Sequence, residues 1–277
     1  MATLDSEKLE LLIKKCLNDF HERRIEKLKK LRLRQVLRRK NPYLFRALGT
    51  EQAAEIVKRI LEAYVSSSDE TIFGNAYFEQ IANNLPNINV STGKGCDLVL
   101  EEKNVVHVYA LKSGPNPFNS SAKERQNTEF LELKSRLMKL QKQFDPVLAY
   151  AYGRRNKPST GKFIYRQSSG QAFWKEVTGD DDFYLKLIGL MRDEPLKKVE
   201  TYKSDWDATI NRFTKEFTED FCLQNGHIDW EKLTKFVSAL EPLKLTSRNS
   251  RQPSARKSTQ KLPQQKTSTR DSEQATT

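Results

Sequence analysis

Two short stretches in the middle of the chain carry an acidic and a basic residue that a folded sheet would bring together. Residues 95–100 and 105–114 are rich in β-branched and aromatic residues, and the polar segment 101–104 separates them, which predicts two strands joined by a turn. Asp97 lies at the start of the first strand and Lys112 at the end of the second. Pairing of the strands can bring both to one end of a small sheet. There, a carboxylate and an ammonium can hold a divalent cation and activate water against a phosphodiester.

In nucleases with this arrangement a second carboxylate is usual two residues before the lysine, but this chain has Ala110 there. Three interpretations stay open: a main-chain carbonyl binds the metal while a carboxylate from another element completes the ligand set, the protein binds DNA with little or no cleavage, or the strand register is wrong. The alternation of Val106, Val108 and Ala110 argues against the last. Glu79, on the predicted helix before the strand pair, is the best relocated carboxylate, although an ion pair on the helix face is its ordinary alternative. Glu70 is a weaker candidate.

The elements predicted around this pair enclose a small mixed sheet. Helices are predicted at 5–39, 51–65, 75–83, 123–143, 170–177, 183–191, 197–224 and 230–240, and further strands at 147–152 and 162–166. A polar break with helix-capping residues is predicted at 66–70. From about residue 246 the chain is rich in Ser, Thr, Gln and Lys without periodicity, which predicts disorder. We therefore expect an N-terminal helix at 1–40, a domain at 41–245 and a disordered basic tail at 246–277.

The net charge of +12 comes from the two ends of the chain. Residues 1–40 contribute +7, residues 248–277 contribute +5, and residues 41–247 carry equal numbers of acidic and basic side chains. Basic ends favour contact with nucleic acid because counterion release drives binding, although a solvated surface is the ordinary alternative. The N-terminal helix has two candidate roles, as an apolar dimer face or as a basic face that tracks DNA. The dimer face consists of Leu9, Leu12, Cys16 and Phe20, and the basic face of Arg32, Arg34, Arg38 and Arg39.

Composition and motifs argue against several other classes of protein. No apolar run is long enough to span a membrane, and the N-terminus has no apolar signal segment. The three cysteines are far apart in the chain, which favours a reducing cytoplasm over a disulfide framework or a cysteine-based zinc site. A P-loop ATPase and a hydrolase with a nucleophile elbow are not expected, because neither motif occurs.

Five blocks of the sequence, in order, resemble the PmeII group of type II restriction endonucleases. The blocks lie at 40–47, 67–75, 95–100, 112–121 and 170–174, and the run Lys-Ser-Gly-Pro-Asn followed by Asn-Ser-Ser in the fourth is the most specific. The order of elements is also that of the PD-(D/E)XK nuclease core, an α/β fold with a mixed central sheet flanked by helices, here with extra N- and C-terminal helices. The resemblance implies a Mg²⁺-dependent, homodimeric, cytoplasmic endonuclease that cuts double-stranded DNA at a short site within a restriction-modification system.

The resemblance also assigns roles to residues of this chain. It matches Asp97 to the metal-binding aspartate and Lys112 to the lysine that assists the attacking water, with Glu79 as the second expected metal ligand. Two loops are expected to contact DNA through phosphates or base edges. Their residues are Ser113, Asn116, Asn119, Ser120, Arg154 and Arg155. Because of Ala110, the main alternative is a catalytically weak or inactive DNA-binding protein on a nuclease fold. An RNA-binding or scaffold role that rests on the basic ends is a further one.

Overall fold

The computed structural model describes residues 5–90, 93–115, 120–137, 141–241 and 245. The tail predicted at 246–277 lies outside these ranges. The helices are α1 (Ser6–Lys30), α2 (Leu33–Leu37), α3 (Pro42–Ala47), α4 (Ala53–Phe73), α5 (Glu79–Asn83), α6 (Ser120–Leu137), α7 (Gln171–Thr178), α8 (Phe183–Gly189), α9 (Val199–Phe221) and α10 (Trp230–Ser238). A π-helical segment (Gly74–Phe78) joins α4 to α5, and a 3₁₀ turn (Leu196–Lys198) precedes α9. The strands are β1 (Ile88–Val90), β2 (Leu98–Glu101), β3 (Val105–Lys112), β4 (Gln143–Tyr150) and β5 (Arg166–Ser169).

The five strands form one mixed sheet in the order β1-β2-β3-β4-β5. β1, β2 and β3 are antiparallel neighbours, whereas β3, β4 and β5 run parallel. The polar turn predicted between β2 and β3 is closed by the backbone N–H of Glu102, which donates to the carbonyl of Val105 at 2.8 Å. A parallel pair needs a crossover, and α6 provides it between β3 and β4. This architecture confirms the predicted mixed sheet flanked by helices.

Alternation along β3 divides the core around the sheet into two layers. Tyr109 and Leu111 face one layer, which contains Trp174 of α7, while Val108 and Ala110 face the other. Phe130 of α6 and the β4 side chains Leu148 and Tyr150 belong to that second layer. A third apolar cluster is formed by α2, α4, α9 and α10. The sheet therefore lies between helical layers, and a separate helical core adjoins it.

The long helix predicted at 5–39 is two helices. α1 ends at Lys30 because Leu31 is extended, with φ −64° and ψ 144°, and α2 begins at Leu33. The two helices pack into different cores: Leu9 and Cys16 of α1 are buried against the sheet, whereas Leu33 of α2 is buried in the helical core.

The polar break predicted at 66–70 is wrong, because α4 runs straight through it. Tertiary and local contacts accommodate the polar residues: Ser68 is buried, Asp69 pairs with Arg24 at 2.6 Å, and the hydroxyl of Thr71 donates to the carbonyl of Ser67. The real irregularity comes one turn later, in the π-helical segment. The sequence signals also missed β1 and ended the last strand at 166, where β5 begins.

The apolar face of α1 belongs to the core of the chain itself. Leu9 and Cys16 are buried, Leu12 packs against the same cluster, and the ring of Phe20 contacts that of Phe73 edge-on at 5.2 Å between centroids. These side chains are therefore not exposed for a dimer interface. On the predicted basic face, the guanidinium of Arg34 donates twice to the carboxylate of Asp220, at 2.8 and 2.9 Å, which commits it to an intramolecular pair.

Candidate active site

Asp97 is fixed to the edge of β3 by the backbone. Its N–H donates to the carbonyl of Tyr109 at 2.8 Å, and its Oδ2 accepts from the N–H of Leu111 at 2.7 Å. The turn before it needs Gly95, which has φ +78° and approaches α6 so closely that a Cβ there would lie 2.4 Å from the Cβ of Glu129. Gln126 of α6 donates to the Gly95 carbonyl at 2.7 Å. The Asp97 side chain therefore extends from a point where the start of β2 is in contact with both β3 and α6.

Lys112, at the end of β3, reaches the same carboxylate. Its Nζ lies 3.6 Å from Oδ2 of Asp97, and each side chain is about one third exposed. Both side chains line a cavity of 430 Å³ at this end of the sheet, together with Glu70, Glu79, Ser113 and Tyr152. The Asp97 carboxylate and the Lys112 ammonium, which are separated in the sequence, thus meet at an open cleft.

Glu79 enters this cleft because of the π-helical segment. An extra residue in a helical turn changes the direction of the side chains that follow. The segment is anchored by Tyr77, which is buried and whose hydroxyl donates to the carbonyl of Leu187 at 2.7 Å. Burial raises the pKa of the Glu79 carboxyl above its ordinary value, and the negative charge of Asp97 raises it further, while Lys112 opposes the shift. Glu79 therefore shares the cleft with both predicted catalytic residues, Asp97 and Lys112.

Ala110 is packed inside the protein rather than exposed to the cleft. Its side chain is 1% exposed and belongs to the apolar layer that also contains Phe130 and Leu148. A carboxylate at this position would be buried in an apolar layer, at a cost of several kcal/mol or a strongly raised pKa. The side chains of Glu79 and Glu70, which both line the cleft, are the carboxylates available to replace it.

Comparison with known families identifies the family to which the chain belongs. The family model of the type II restriction endonuclease EcoO109I matches residues 7–199, which is more than half of the chain. The protein belongs to the EcoO109I family of type II restriction endonucleases. No curated protein matches the chain.

Membership of the EcoO109I family indicates that the protein is a site-specific DNA endonuclease. The match covers the whole sheet and every residue of the cleft, whereas α10 and nearly all of α9 lie beyond it. The mixed sheet flanked by helices is consistent with a PD-(D/E)XK-like nuclease fold. Members of the EcoO109I family typically use a divalent metal, and the carboxylate oxygens of the cleft are the type of ligand that hard divalent cations prefer.

The residues predicted to contact DNA have different environments. Ser113 lines the cleft and its hydroxyl donates to Glu70, while Ser120 is exposed at the first turn of α6. Asn116 and Asn119 lie outside the described residues. Arg154 is exposed and lines a second, larger cavity of 1190 Å³ that shares Phe78 and Tyr152 with the cleft.

Arg155, by contrast, ties two loops together. Its guanidinium donates to the carbonyl of Pro115 at 2.6 Å, and its backbone N–H donates to the hydroxyl of Ser169 at 2.6 Å. The sequence predicts the same role for the two adjacent arginines, but their environments differ. Arg154 is exposed to solvent beside the cleft, whereas Arg155 holds the loop that follows Lys112.

A second cluster of potential metal ligands lies away from the cleft. The ligand atoms of His107, Asp145 and Glu176 are within 4.8 Å of one another. The guanidinium of Arg166 lies between the two carboxylates and donates to both, and Nδ1 of His107 is 2.7 Å from Asp145. His107 is five residues before Lys112, roughly 16 Å along the strand. Because Arg166 already supplies a cation to Asp145 and Glu176, this cluster is an ion-pair network.

Sequence analysis missed Tyr152. It lies two residues after the end of the buried strand β4, which was the only available signal, and its hydroxyl reaches the cleft and donates to Glu70 at 2.8 Å. Among the described residues, no helix is long and apolar enough to cross a bilayer.

Proposed function

We propose that this protein is a Mg²⁺-dependent type II restriction endonuclease that acts as a homodimer in the cytoplasm, as part of a restriction-modification system. The observation that carries the proposal is the approach of Lys112 Nζ to Asp97 Oδ2, 3.6 Å apart in a cleft that Glu79 also lines. We also propose that it belongs to the PmeII-like group within this class, because five sequence blocks match that group in order.

Asp97 and Glu79 are the proposed ligands of Mg²⁺. The cation would supply charge neutralisation at the scissile phosphate and lower the pKa of water at the site. Asp97 is suited to this role because backbone contacts fix its carboxylate before any ligand arrives. Lys112 orients the attacking water and stabilises the negative charge that develops on the phosphoryl oxygens. The raised pKa of Glu79 is the consequence of burying a second carboxylate beside Asp97, and a bound cation would relieve this repulsion.

DNA is proposed to lie across the cleft and the larger cavity beside it. Ser120, Asn116 and Asn119 would contact the backbone near the cut, as would the main chain at Ser113, and Arg154 would contact a phosphate or a guanine edge. Arg155 would act by holding the loop between them. The basic N-terminal region, through Arg32, Arg38 and Arg39, and the basic tail would add salt-sensitive affinity. A two-fold dimer would favour a palindromic or nearly palindromic site.

The test is cleavage of large, sequence-diverse DNA with Mg²⁺, followed by sequencing of the new ends. We expect discrete fragments with a common sequence at every end. Asp97→Asn and Lys112→Met should each lower the cleavage rate by about 1,000-fold, equivalent to about 4 kcal/mol of transition-state stabilisation. Both variants should retain wild-type unfolding free energy within about 1 kcal/mol, because the ion pair that they break is a single contact of 3.6 Å, beyond hydrogen-bond distance, and is one third exposed.

The other end of β2 provides matched controls. Glu101 and Lys142 form a comparable pair at 3.0 Å, with side chains 47% and 30% exposed. Glu101→Gln and Lys142→Met should therefore leave cleavage unchanged. Uncut DNA that is still shifted on a gel by the wild-type protein would favour the alternative suggested by Ala110, a DNA-binding protein without nuclease activity. Equal activity of Asp97→Asn and Glu101→Gln would refute the assigned roles.

A further inference from the structure

The carboxylate of Glu70 is held at the cleft by two hydroxyl groups from different parts of the chain. Ser113 Oγ and Tyr152 Oη each donate to the same oxygen, Oε1, at 2.8 Å. Glu70 comes from α4, Ser113 follows β3, and Tyr152 follows β4. Both bonds engage Oε1, and neither engages Oε2, so the second oxygen can bind a cation while the two hydroxyl bonds persist.

Two glycines allow these three elements to meet. A Cβ on Gly74 would lie 3.0 Å from the Cβ of Ser113, and a Cβ on Gly114 would lie 2.3 Å from both Cζ and Oη of Tyr152. The backbone N–H of Tyr152 also donates to the carbonyl of Ser113 at 3.2 Å. The hydroxyl pair thus depends on close backbone packing, which distinguishes it from an incidental bond between mobile surface side chains.

We propose that Tyr152 is a positioning residue of the active site, which, together with Ser113, fixes the Glu70 carboxylate so that it joins Asp97 and Glu79 in binding the divalent cation. The inference rests on the proposed function, because it takes the cleft to be the site of metal binding. It answers the question that Ala110 raises, since a cation in this cleft lacks the carboxylate usual at that position and Glu70 supplies another.

Physical chemistry favours this role for Tyr152. Glu70 is exposed, and ordering a free glutamate side chain costs rotamer entropy, but here two hydrogen bonds already order the side chain before a cation binds. Residues that orient a metal ligand in this way commonly alter metal affinity by 10-fold or more when they are changed.

The test measures metal binding directly, with Mn²⁺ as the probe and the loss of the free-ion EPR signal as the readout, on the full chain. Tyr152→Phe removes only the hydroxyl and keeps the ring that packs near Phe78, whose centroid is 6.3 Å away. We expect it to raise the Mn²⁺ dissociation constant about 10-fold. Glu70→Gln should weaken binding at least as much, and adding Tyr152→Phe to it should change affinity less than about 2-fold, because the two act through one carboxylate. The control is Tyr184→Phe, a tyrosine 37% exposed that lines only the larger cavity.

The outcomes separate this inference from the endonuclease proposal. Wild-type Mn²⁺ affinity in Tyr152→Phe, with or without a loss of stability, would overturn the positioning role and leave the nuclease intact. Additive effects of Glu70→Gln and Tyr152→Phe would also overturn it, as would a wild-type chain that binds no Mn²⁺. If Mn²⁺ affinity depends on Glu70 and Tyr152 as expected but the wild-type chain never cuts DNA, the endonuclease proposal alone would be refuted.

Discussion

Replacement of Arg166 by methionine should destabilise the fold substantially, although the residue lies outside the cleft. Its guanidinium donates to Asp145 at 2.7 Å and to Glu176 at 3.1 Å, so it neutralises two carboxylates that are each 23% exposed. Glu176 also accepts from the hydroxyl of Tyr109 at 2.8 Å. Methionine keeps the apolar stem of the side chain and removes all the donors.

The size of the effect follows from the burial of the network. An exposed ion pair contributes at most about 1 kcal/mol. Breaking a fully buried pair by removing one partner costs about 3–5 kcal/mol, because a charge is left unpaired. The Arg166 side chain is 30% exposed, between these limits, so we expect a loss of about 2–3 kcal/mol for Arg166→Met. Urea denaturation followed by far-UV circular dichroism measures this loss of unfolding free energy. The comparison requires that the slope of unfolding free energy against urea concentration is the same in the wild-type protein and in Arg166→Met.

The loss should also depend on pH through His107. The hydrogen bond to Asp145 raises the pKa of this histidine, and its contribution to stability is therefore fully present below its unfolded value of about 6.5 and is lost as the pH rises through the higher folded pKa. In Arg166→Met the protonated His107 would be the cation left beside Asp145, so the deficit should be larger at pH 9 than at pH 6. Arg23→Met, which breaks an exposed pair with Asp19, is the control and should cost less than about 1 kcal/mol. A deficit no larger than that of the control would refute the reasoning.

Three further predictions concern the cleft and its surroundings. Gly95→Ala should cost at least about 2 kcal/mol in thermal or urea unfolding, whereas Gly161→Ala, with the same φ of +78° but open space around it, should cost about 1 kcal/mol; equal losses would contradict the close approach to α6. Arg154→Ala should weaken DNA binding and reduce its salt dependence by about one ion without loss of stability, whereas Arg155→Ala should lower both affinity and stability; gel shifts over a salt series and denaturation distinguish them, and identical profiles would contradict the assignment. Glu79→Gln should lower cleavage by about 100-fold yet increase stability at neutral pH, because ionisation of a carboxyl with a raised pKa costs folding energy above that pKa; a stability gain that persists below the unfolded pKa would contradict this cause.

Local patterns in the sequence were sufficient for the strand pair and for the residues that it brings together. The alternation of Val106, Val108 and Ala110 predicted which side chains share a face of β3. The polar turn predicted that β3 pairs antiparallel with β2. These signals are local because strand periodicity and turn chemistry depend on neighbours in the chain. The juxtaposition of Asp97 and Lys112 followed from them.

Local patterns were misleading where tertiary contacts compensated for polar residues. The serine run at 66–68 favours a helix end, yet α4 continues because Ser68 is buried in packing and Asp69 is paired with Arg24. The apolar stripe of α1 correctly predicted a helix, but a stripe does not say whether it faces a second subunit or the chain's own sheet.

By itself, the amino-acid sequence determined the mixed sheet, the basic ends and the strand edge that carries Asp97 and Lys112, because all of these depend on residue type and short-range spacing. Only the tertiary structure decided which carboxylates besides Asp97 line the cleft. Glu79 and Glu70 reach the cleft through a π-helical segment and through hydroxyls from two distant loops, and such contacts between remote parts of the chain leave no periodic trace in the sequence.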